Sequence, residues 1–193
     1  MLRRVGAEPR RLGIARDTEA DLAAHIAAAD DADILVTIGG ASVGDHDLVR
    51  AALEAAGFSI AFQKIAMRPG KPVMSGVRGG QRVIGMPGNP VSAMLCSIIF
   101  LLPLVAALLG EEQPPASEMR YPLAAPLPEN GPRQHYMRGK LRSVDGAAAV
   151  EALPSQDSSL TAALAAADCL IVRAPHAPAA AAGESVTVIP LIF

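Results

Sequence analysis

Arg68-Pro69-Gly70-Lys71-Pro72 and Met86-Pro87-Gly88-Asn89-Pro90 are two short Gly/Pro-punctuated interruptions of apolar sequence. Proline fixes φ and removes a donor, while glycine lets a backbone or a ligand approach closely. The first interruption also carries two fixed cations, Arg68 and Lys71. A third segment, Thr37-Ile38-Gly39-Gly40-Ala41-Ser42-Val43-Gly44-Asp45-His46-Asp47, follows the apolar run Ile34-Leu35-Val36 and precedes a helical pattern. Strand, glycine-rich loop and helix in that order aim backbone N–H groups at an anion. Taken singly, each loop reads as an ordinary turn; taken together, the three read as one anion-binding surface. Asp45 and Asp47 would repel phosphate unless a divalent cation such as Mg²⁺ bridged them to its oxygens. By spacing alone Asp47 reads equally well as a helix N-cap. The loop matches neither the dinucleotide fingerprint nor the Walker phosphate loop.

Alternating strands and helices must position these loops. Arg11 to Ala15 suits a short strand, and Asp17 or Thr18 caps a helix with Leu22, Ile26 and Ala29 on one face. Ile34–Ile38 predicts a buried strand, and Asp47–Ala56 a helix with Leu48, Val49, Ala52 and Leu53 on one face, stopped by Gly57. Phe58–Ala66 predicts a further strand. Val73–Val77 and Arg82–Ile84 flank Arg78-Gly79-Gly80, a hairpin signal. Pro90 opens a long helix and Gly110 ends it. Such alternation predicts an α/β fold with a mixed or parallel sheet and helices on both faces. Composition changes after the polar, proline-containing stretch from Glu111 to Ser117. Beyond it, Gln134–Val144, Ala147–Ala152, Cys169–Arg173 and Val186–Ile192 read as strands, with a helical turn within Leu160–Ala167. The expected division is residues 1–112, an α/β domain, and 113–193, a small mostly-β domain.

Composition narrows the functional classes. The 193 residues are 51% apolar but only 3% aromatic, so small aliphatic side chains must build the core. A net charge of −2 offers no sequence-wide basic field for nucleic acid. Cys96 and Cys169 lie in apolar runs and read as buried thiols in a reducing cytoplasm. Two cysteines and four scattered histidines do not suggest a Cys/His metal cluster, and His46 reads as a solvated loop residue. Val91 to Leu109 has almost the length of a membrane span, but Ser92, Ser97 and Pro103 interrupt it and no basic cluster flanks it. The expectation is a buried helix, no membrane and a cytoplasmic protein.

TIGGASVGDHD, KIAMRPGKP and GMPGNPVSA closely resemble the signature loops of the molybdopterin molybdenumtransferases, the MoeA and gephyrin E-domain family. The segments around Tyr136-Met137-Arg138-Gly139, Gln156-Asp157-Ser158-Ser159 and Ala182-Gly183-Glu184-Ser185-Val186 resemble that family's C-terminal β domain, more loosely. The resemblance implies insertion of molybdate into adenylylated molybdopterin with release of AMP, assisted by Mg²⁺. It places Gly39, Gly40, Ser42, Gly44, Lys71, Pro87, Asn89 and Pro90 around the nucleotide and pterin phosphate. It gives Asp47, Lys64 and Arg68 catalytic roles, Asp45 and Asp47 the metal, and Arg138 and Ser158 an oxyanion pocket. It further implies a homodimer in the full-length protein. Each assignment has a plainer alternative: Lys64 as an exposed strand residue, Arg138 reaching outward from a sheet edge, Asn89 satisfying a turn, Ser158 capping a helix. Ile38 and Arg68 depart from the family, which there has a small polar residue and a lysine. The resemblance also implies an N-terminally incomplete chain, inactive alone, with an unpaired sheet edge near residue 11. A noncatalytic molybdopterin-binding or scaffolding module is the alternative function, and an adenylyltransferase of the same fold a third.

Overall fold

A computed structural model describes residues 1–40, 47–111 and 119–191. Internal contacts divide these residues into two compact units, Leu2–Ile65 with Gly70–Ser97, and Met1 with Ala66–Pro69 and Ile98–Phe193. The junction expected at residues 112 and 113 lies outside the described residues.

The first unit holds helices α1 (Glu19–Ala27) and α2 (Leu48–Ala55) and strands β1 (Ile34–Ile38), β2 (Ser59–Phe62), β4 (Met74–Arg78) and β5 (Gln81–Met86). The strand order is β1-β5-β4-β2, with β1 parallel to β5 and the other pairs antiparallel. The sheet is therefore mixed. Arg78 pairs with Gln81, so Gly79-Gly80 forms the expected two-residue turn, with Gly79 at φ 55°. Val83 through Met86 are all buried, as befits a central strand covered on both faces. Ile26, Ala29, Leu35, Val49, Leu53, Phe58, Met74 and Val83 share one core. That cluster is what the helical spacing of α1 and α2 anticipates. Thr18 caps α1 by accepting from the Asp21 amide, as its position before the first apolar turn suggests.

Two expectations fail here. Residues 11–15 form no strand, although Leu12 still packs against the core, and the outermost strands are β1 and β2. The segment from Phe58 to Ala66 is not one strand either. Extension ends at Phe62, after a register irregularity between Ile60 and Phe62, and the chain extends again only as β3 (Met67–Arg68), in the other sheet. Alternation of side chains misreads such a bulge as continuity.

A helical run from Pro90 to Leu108 comprises α3 (Pro90–Cys96), a π-helical turn (Ser97–Leu101) and α4 (Leu102–Leu108). Pro103 lacks the N–H that a regular ladder would use, and the π turn lies immediately before it. The run is long and apolar enough to cross a membrane, a test that core helices also pass, and Val91, Leu95, Cys96, Ile98, Leu101 and Val105 are buried. Gly110, at φ 73°, ends it.

The second unit is built on one sheet in the order β3-β7-β9-β10-β6, with β8 also on β7: β6 (Met119–Pro122), β7 (Gln134–Val144), β8 (Ala147–Ala152), β9 (Cys169–Arg173) and β10 (Ser185–Pro190). Its core gathers Leu123, Leu127, Val150, Cys169, Ile171, Ala180, Val186 and Val188. The strand β6 was not expected, because its sequence Met-Arg-Tyr-Pro carries almost no alternation and is mostly exposed. A short helix, α5 (Thr161–Ala165), has Leu160 as an N-cap without a side-chain bond, so Ser158 does not cap it.

Candidate functional site

In the first unit the glycine-rich loop and the Pro-Gly-Asn-Pro loop meet through their backbones. Gly39 donates its amide to the Met86 carbonyl at 3.0 Å. A Cβ on Gly88 would stand 3.3 Å from the Gly39 Cα, and one on Gly39 would stand 3.7 Å from the Gly88 Cα. Gly39 and Gly40 both have positive φ, 84° and 70°. A Cβ on Gly40 would collide with Val49 of α2 at 2.4 Å. Two independent needs, left-handed backbone and close approach, therefore explain the Gly-Gly pair. Pro87 is buried and Pro90 opens α3. Asn89 accepts from the Ser92 amide at 3.0 Å and is the cap of that helix.

Asp47 is the cap of α2. Its Oδ1 accepts from the Arg50 amide at 3.0 Å and its Oδ2 from the Gln63 side chain at 2.7 Å. Both carboxylate oxygens are thus engaged, and the residue is only 9% exposed. Among the described residues no three His, Cys, Asp or Glu side chains could together hold a metal ion. Asp47 fits Mg²⁺ only as a partner to an ion whose sphere is completed by water and substrate phosphates, the usual habit of that cation. Ser42, Gly44, Asp45 and His46 lie outside the described residues. Lys64 and Lys71 are exposed, and the Ile65 amide donates to the Lys71 carbonyl at 3.1 Å, which holds their loop segments side by side. Lys64 lies beyond the end of β2 rather than within a strand. Ile38 is 70% exposed, so no packing demand selects it.

The second unit assembles the other predicted residues. Arg68, on the two-residue strand β3, is the register partner of His135 on β7. Arg138 lies three residues further along β7, on its opposite face, and is only 2% exposed. The loop from Leu153 to Asp157 folds around it. Its guanidinium donates to the Asp157 carbonyl at 2.9 Å and the Ser155 carbonyl at 3.3 Å, and its amide donates to Gln156 Oε1 at 2.8 Å. Gln156 in turn donates to the Arg138 and Leu153 carbonyls, both at 2.9 Å. Arg138 is therefore a buried, multiply bonded residue and not one reaching outward from a sheet edge. Ser158 lies in the turn that follows, where the Ser159 amide donates to Asp157.

The charges around this cluster do not balance. Burial pulls the Arg138 guanidinium below its usual range, the Asp157 charge opposes that, and Arg68 adds to it. Asp157 is held below the usual carboxylate range, first by hydrogen bonds from Ser159 and then by Arg138 and Arg68. Among the described residues neither Arg68 nor Arg133 has a side-chain hydrogen bond or ion pair. His135 is 8% exposed, and burial together with Arg68, Arg133 and Arg138 pushes its pKa down to about 4. Three guanidiniums thus act on His135, and one exposed carboxylate, Asp157, offsets them. Such a cluster favours an incoming anion.

Sequence reasoning found Arg68 and Arg138 but missed Arg133 and His135. The sheet register brings Arg68 beside His135 from 67 positions away. Arg133 lies just before β7 and His135 near its start, and no local motif marks either.

Comparisons with known proteins bear on the family and the fold. The family described as "Probable molybdopterin binding domain" matches residues 1–107, and the MoeA C-terminal region (domain IV) matches residues 120–191. The chain is 35% identical to the molybdopterin molybdenumtransferase of Haemophilus influenzae over 98% of its own length and 48% of that protein's. For the Bacillus subtilis molybdopterin molybdenumtransferase the identity is 29%, covering 86% of this chain and 39% of that one. Among solved structures, the molybdopterin biosynthesis MoeA protein of Pyrococcus horikosii superposes with a TM-score of 0.72 at 26% identity, over 94% of this chain and 43% of that one. The chain thus spans less than half of each of these relatives.

Proposed function

The chain belongs to the molybdopterin-binding family that its first 107 residues match, followed by a MoeA-type C-terminal region, and we propose that it is the part of a molybdopterin molybdenumtransferase that receives molybdate. The observation that carries this reading is the register pairing of Arg68, from the Arg-Pro-Gly-Lys-Pro motif, with β7, the strand that bears Arg138. A substrate oxyanion needs cations that are not already neutralised, and Arg68 has no ion pair among the described residues.

In this reading Arg68 and Arg138 bind the molybdate oxygens, with the Ser158 hydroxyl beside them. Gly39 and Gly40 allow the nucleotide and pterin phosphate of adenylylated molybdopterin to approach the backbone, with Ser42 and Gly44 continuing that loop. Pro87, Asn89 and Pro90 hold the facing loop rigid. Lys64 and Lys71 supply mobile positive charge for the phosphoanhydride. Asp47, with Asp45, would help hold Mg²⁺, which when bound offsets the charge of the substrate phosphates. The proposal extends to a cytoplasmic homodimer for the full-length protein and to the division near residue 112.

Asp47 supplies a reason to keep the noncatalytic binding reading, because its carboxylate already serves the fold. AMP release separates the two. Full-length protein mixed with adenylylated molybdopterin, molybdate and Mg²⁺ should release AMP only when molybdate is present. Binding of molybdopterin without that release would leave a binding module.

A further inference from the structure

One side chain of the second unit stands where a strand would. On one side of β7, β9 pairs from His135 to Gly139. On the other side β3 pairs at Gln134 and His135, and β8 from Gly139 to Val144. Continued by one residue, the ladder with β8 would join Arg138 to Leu153 by two reciprocal bonds, as a hydrogen-bonded antiparallel pair does. Among the described residues only one of the two forms, from the Leu153 amide to the Arg138 carbonyl at 2.8 Å. The side-chain amide of Gln156 is inserted in place of the other. The Arg138 amide donates to Gln156 Oε1 at 2.8 Å, and Gln156 Nε2 donates to the Leu153 carbonyl at 2.9 Å. Nε2 also donates to the Arg138 carbonyl at 2.9 Å. These partners fix the orientation of the amide, since a backbone N–H only donates and a carbonyl only accepts. A primary amide carries donor and acceptor side by side, as a peptide group does.

The inserted amide turns the chain out of β8 and round the Arg138 guanidinium, and Pro154, which has no N–H to continue a ladder, follows at once. The turn beyond braces itself: the Asp157 amide donates to Ser155 Oγ at 3.3 Å and the Ser159 amide to Asp157 Oδ1 at 2.9 Å. Its Asp157 and Ser155 carbonyls accept from the two terminal nitrogens of Arg138, at 2.9 and 3.3 Å. Each terminal nitrogen of a guanidinium carries two N–H groups, so these bonds fix its plane and leave one N–H on each for a further acceptor.

We propose that Gln156 is the positioning residue of the oxyanion site: its amide sets the plane of the Arg138 guanidinium and the place of the Ser158 hydroxyl beside it. This rests on the reading of Arg138 and Ser158 as molybdate-binding groups and deepens it. Gln156 acts through the two residues it aligns and itself touches no oxyanion. Without its amide, the Arg138 N–H and the Leu153 carbonyl pair directly. The ladder closes by one bond, and the Ser155 and Asp157 carbonyls leave the guanidinium. The fold survives this change, while the two anion-binding groups lose their mutual geometry. Geometry matters here as much as charge, because a planar guanidinium grips an oxyanion two-pronged only when its plane is held.

Calorimetric titration of the full-length protein with molybdate, and separately with adenylylated molybdopterin, tests this, with circular dichroism to check the fold. The proposed contacts of adenylylated molybdopterin lie in the first unit, so the two ligands separate a local effect from a general one. In Gln156→Ala, molybdate should bind about ten- to a hundredfold more weakly, the usual cost of losing a group that orients a binding residue. Adenylylated molybdopterin should bind as it does to the parent. Unchanged molybdate affinity in a folded Gln156→Ala overturns the proposal and leaves the oxyanion reading standing. An equal loss for both ligands makes Gln156 ordinary structure and overturns the proposal as well. A parent protein that does not bind molybdate removes the oxyanion reading and the proposal with it. Should Gln156→Ala fail to fold, proton–nitrogen NMR of the unmodified protein decides through the Gln156 side-chain N–H signals. Saturating molybdate should shift them and slow their exchange with solvent, and signals that do not change at saturation overturn the proposal.

Discussion

On the proposed reading the two units would hold anions in opposite ways. The first uses backbone: Gly39 and Gly88 approach closely, and Asp47 and Asn89 cap helices on either side. Its cations, Lys64 and Lys71, are exposed. The second uses buried side-chain charge. Arg138 is enclosed by the carbonyls of Ser155 and Asp157, and His135, three residues before it on β7, is held neutral. Backbone sites are specified by what is missing from a side chain, so they tolerate almost no substitution. Charge sites are specified by what surrounds a side chain, and removing one charge need not disturb the fold. The contrast is open to direct attack.

The largest expected effect is at Gly40. Valine there meets Val49 and must adopt φ near 70°. Strain of this kind combined with overpacking costs on the order of 2–5 kcal/mol. The melting temperature should fall by about 5–15 °C, using roughly 2–4 °C per kcal/mol for a chain of this size. Calorimetry that found Gly40→Val within a degree of the parent would show that the glycine loop is not fixed by its geometry.

Next in size is Arg138. Arg138→Ala leaves the carbonyls of Ser155 and Asp157 without their partner, while Gln156 keeps its bonds to the backbone of residue 138. A loss on the order of 2–4 kcal/mol in denaturant unfolding is expected, since buried acceptors are costly to strand. Arg68→Ala should lie within about 0.5 kcal/mol of the parent, as is usual for exposed positions. Both should weaken sulfate binding at least tenfold. Two variants equal in anion affinity but separated in stability would confirm that the cluster has one structural cation and one free one.

How far the sequence reveals these units follows the same contrast. The first unit was almost fully legible, because its devices are local. Gly79-Gly80 marked the hairpin, Thr18 and Asp47 the caps, and Pro90 the helix start. Its failures came where a strand stops being regular, at Ile60 to Phe62, and at residues 11–15, where Gly13 takes φ 94° and no strand forms. In the second unit the strands β7, β8 and β9 were legible from their composition. The site was legible only in part. Arg68 and Arg138 stood in recognisable motifs, but the role of His135 depends on β3 pairing with β7 across 67 positions, and no local pattern encodes a register. Ser158 looked like a cap because a helix follows it; the helix starts three residues later and uses no side-chain cap.

A smaller effect separates the units by pH. His135 titrates at about 4 when folded, against 6.5 for the free side chain. The unfolded chain therefore takes up the proton first. Stability should be fully present above about pH 6.5, decline as pH falls towards 4, and then level off with respect to this group. Screening of a ring that partly reaches solvent limits the loss to about 1–2 kcal/mol. Carboxylates titrate nearby, so the informative quantity is the difference between the parent and His135→Gln. That difference should vanish above neutrality and grow on acidification. A difference independent of pH would mean that the histidine is ordinary core.

A modest stability effect is expected at Asp47, and it bears most directly on chemistry. As the cap of α2 the residue should lose about 0.5–2 kcal/mol on Asp47→Ala, and little on Asp47→Asn, since asparagine caps as well as aspartate. The Gln63 side chain donates to Oδ2, and an asparagine with its carbonyl turned to the Arg50 amide would present an amide nitrogen there instead, so a few tenths of a kcal/mol is a fair allowance. Charge is a different matter. If Asp47 also steadies Mg²⁺ against the substrate phosphates, the neutral isostere removes that contribution while leaving the helix intact. Full-length Asp47→Asn should then melt with the parent yet lose at least tenfold in AMP release, with the deficit narrowing as Mg²⁺ is raised. Equal turnover in Asp47→Asn and the parent, beside a destabilised Asp47→Ala, would confine the residue to capping. The first unit would then be purely a backbone site, and the contrast with the charged cluster of the second would be complete.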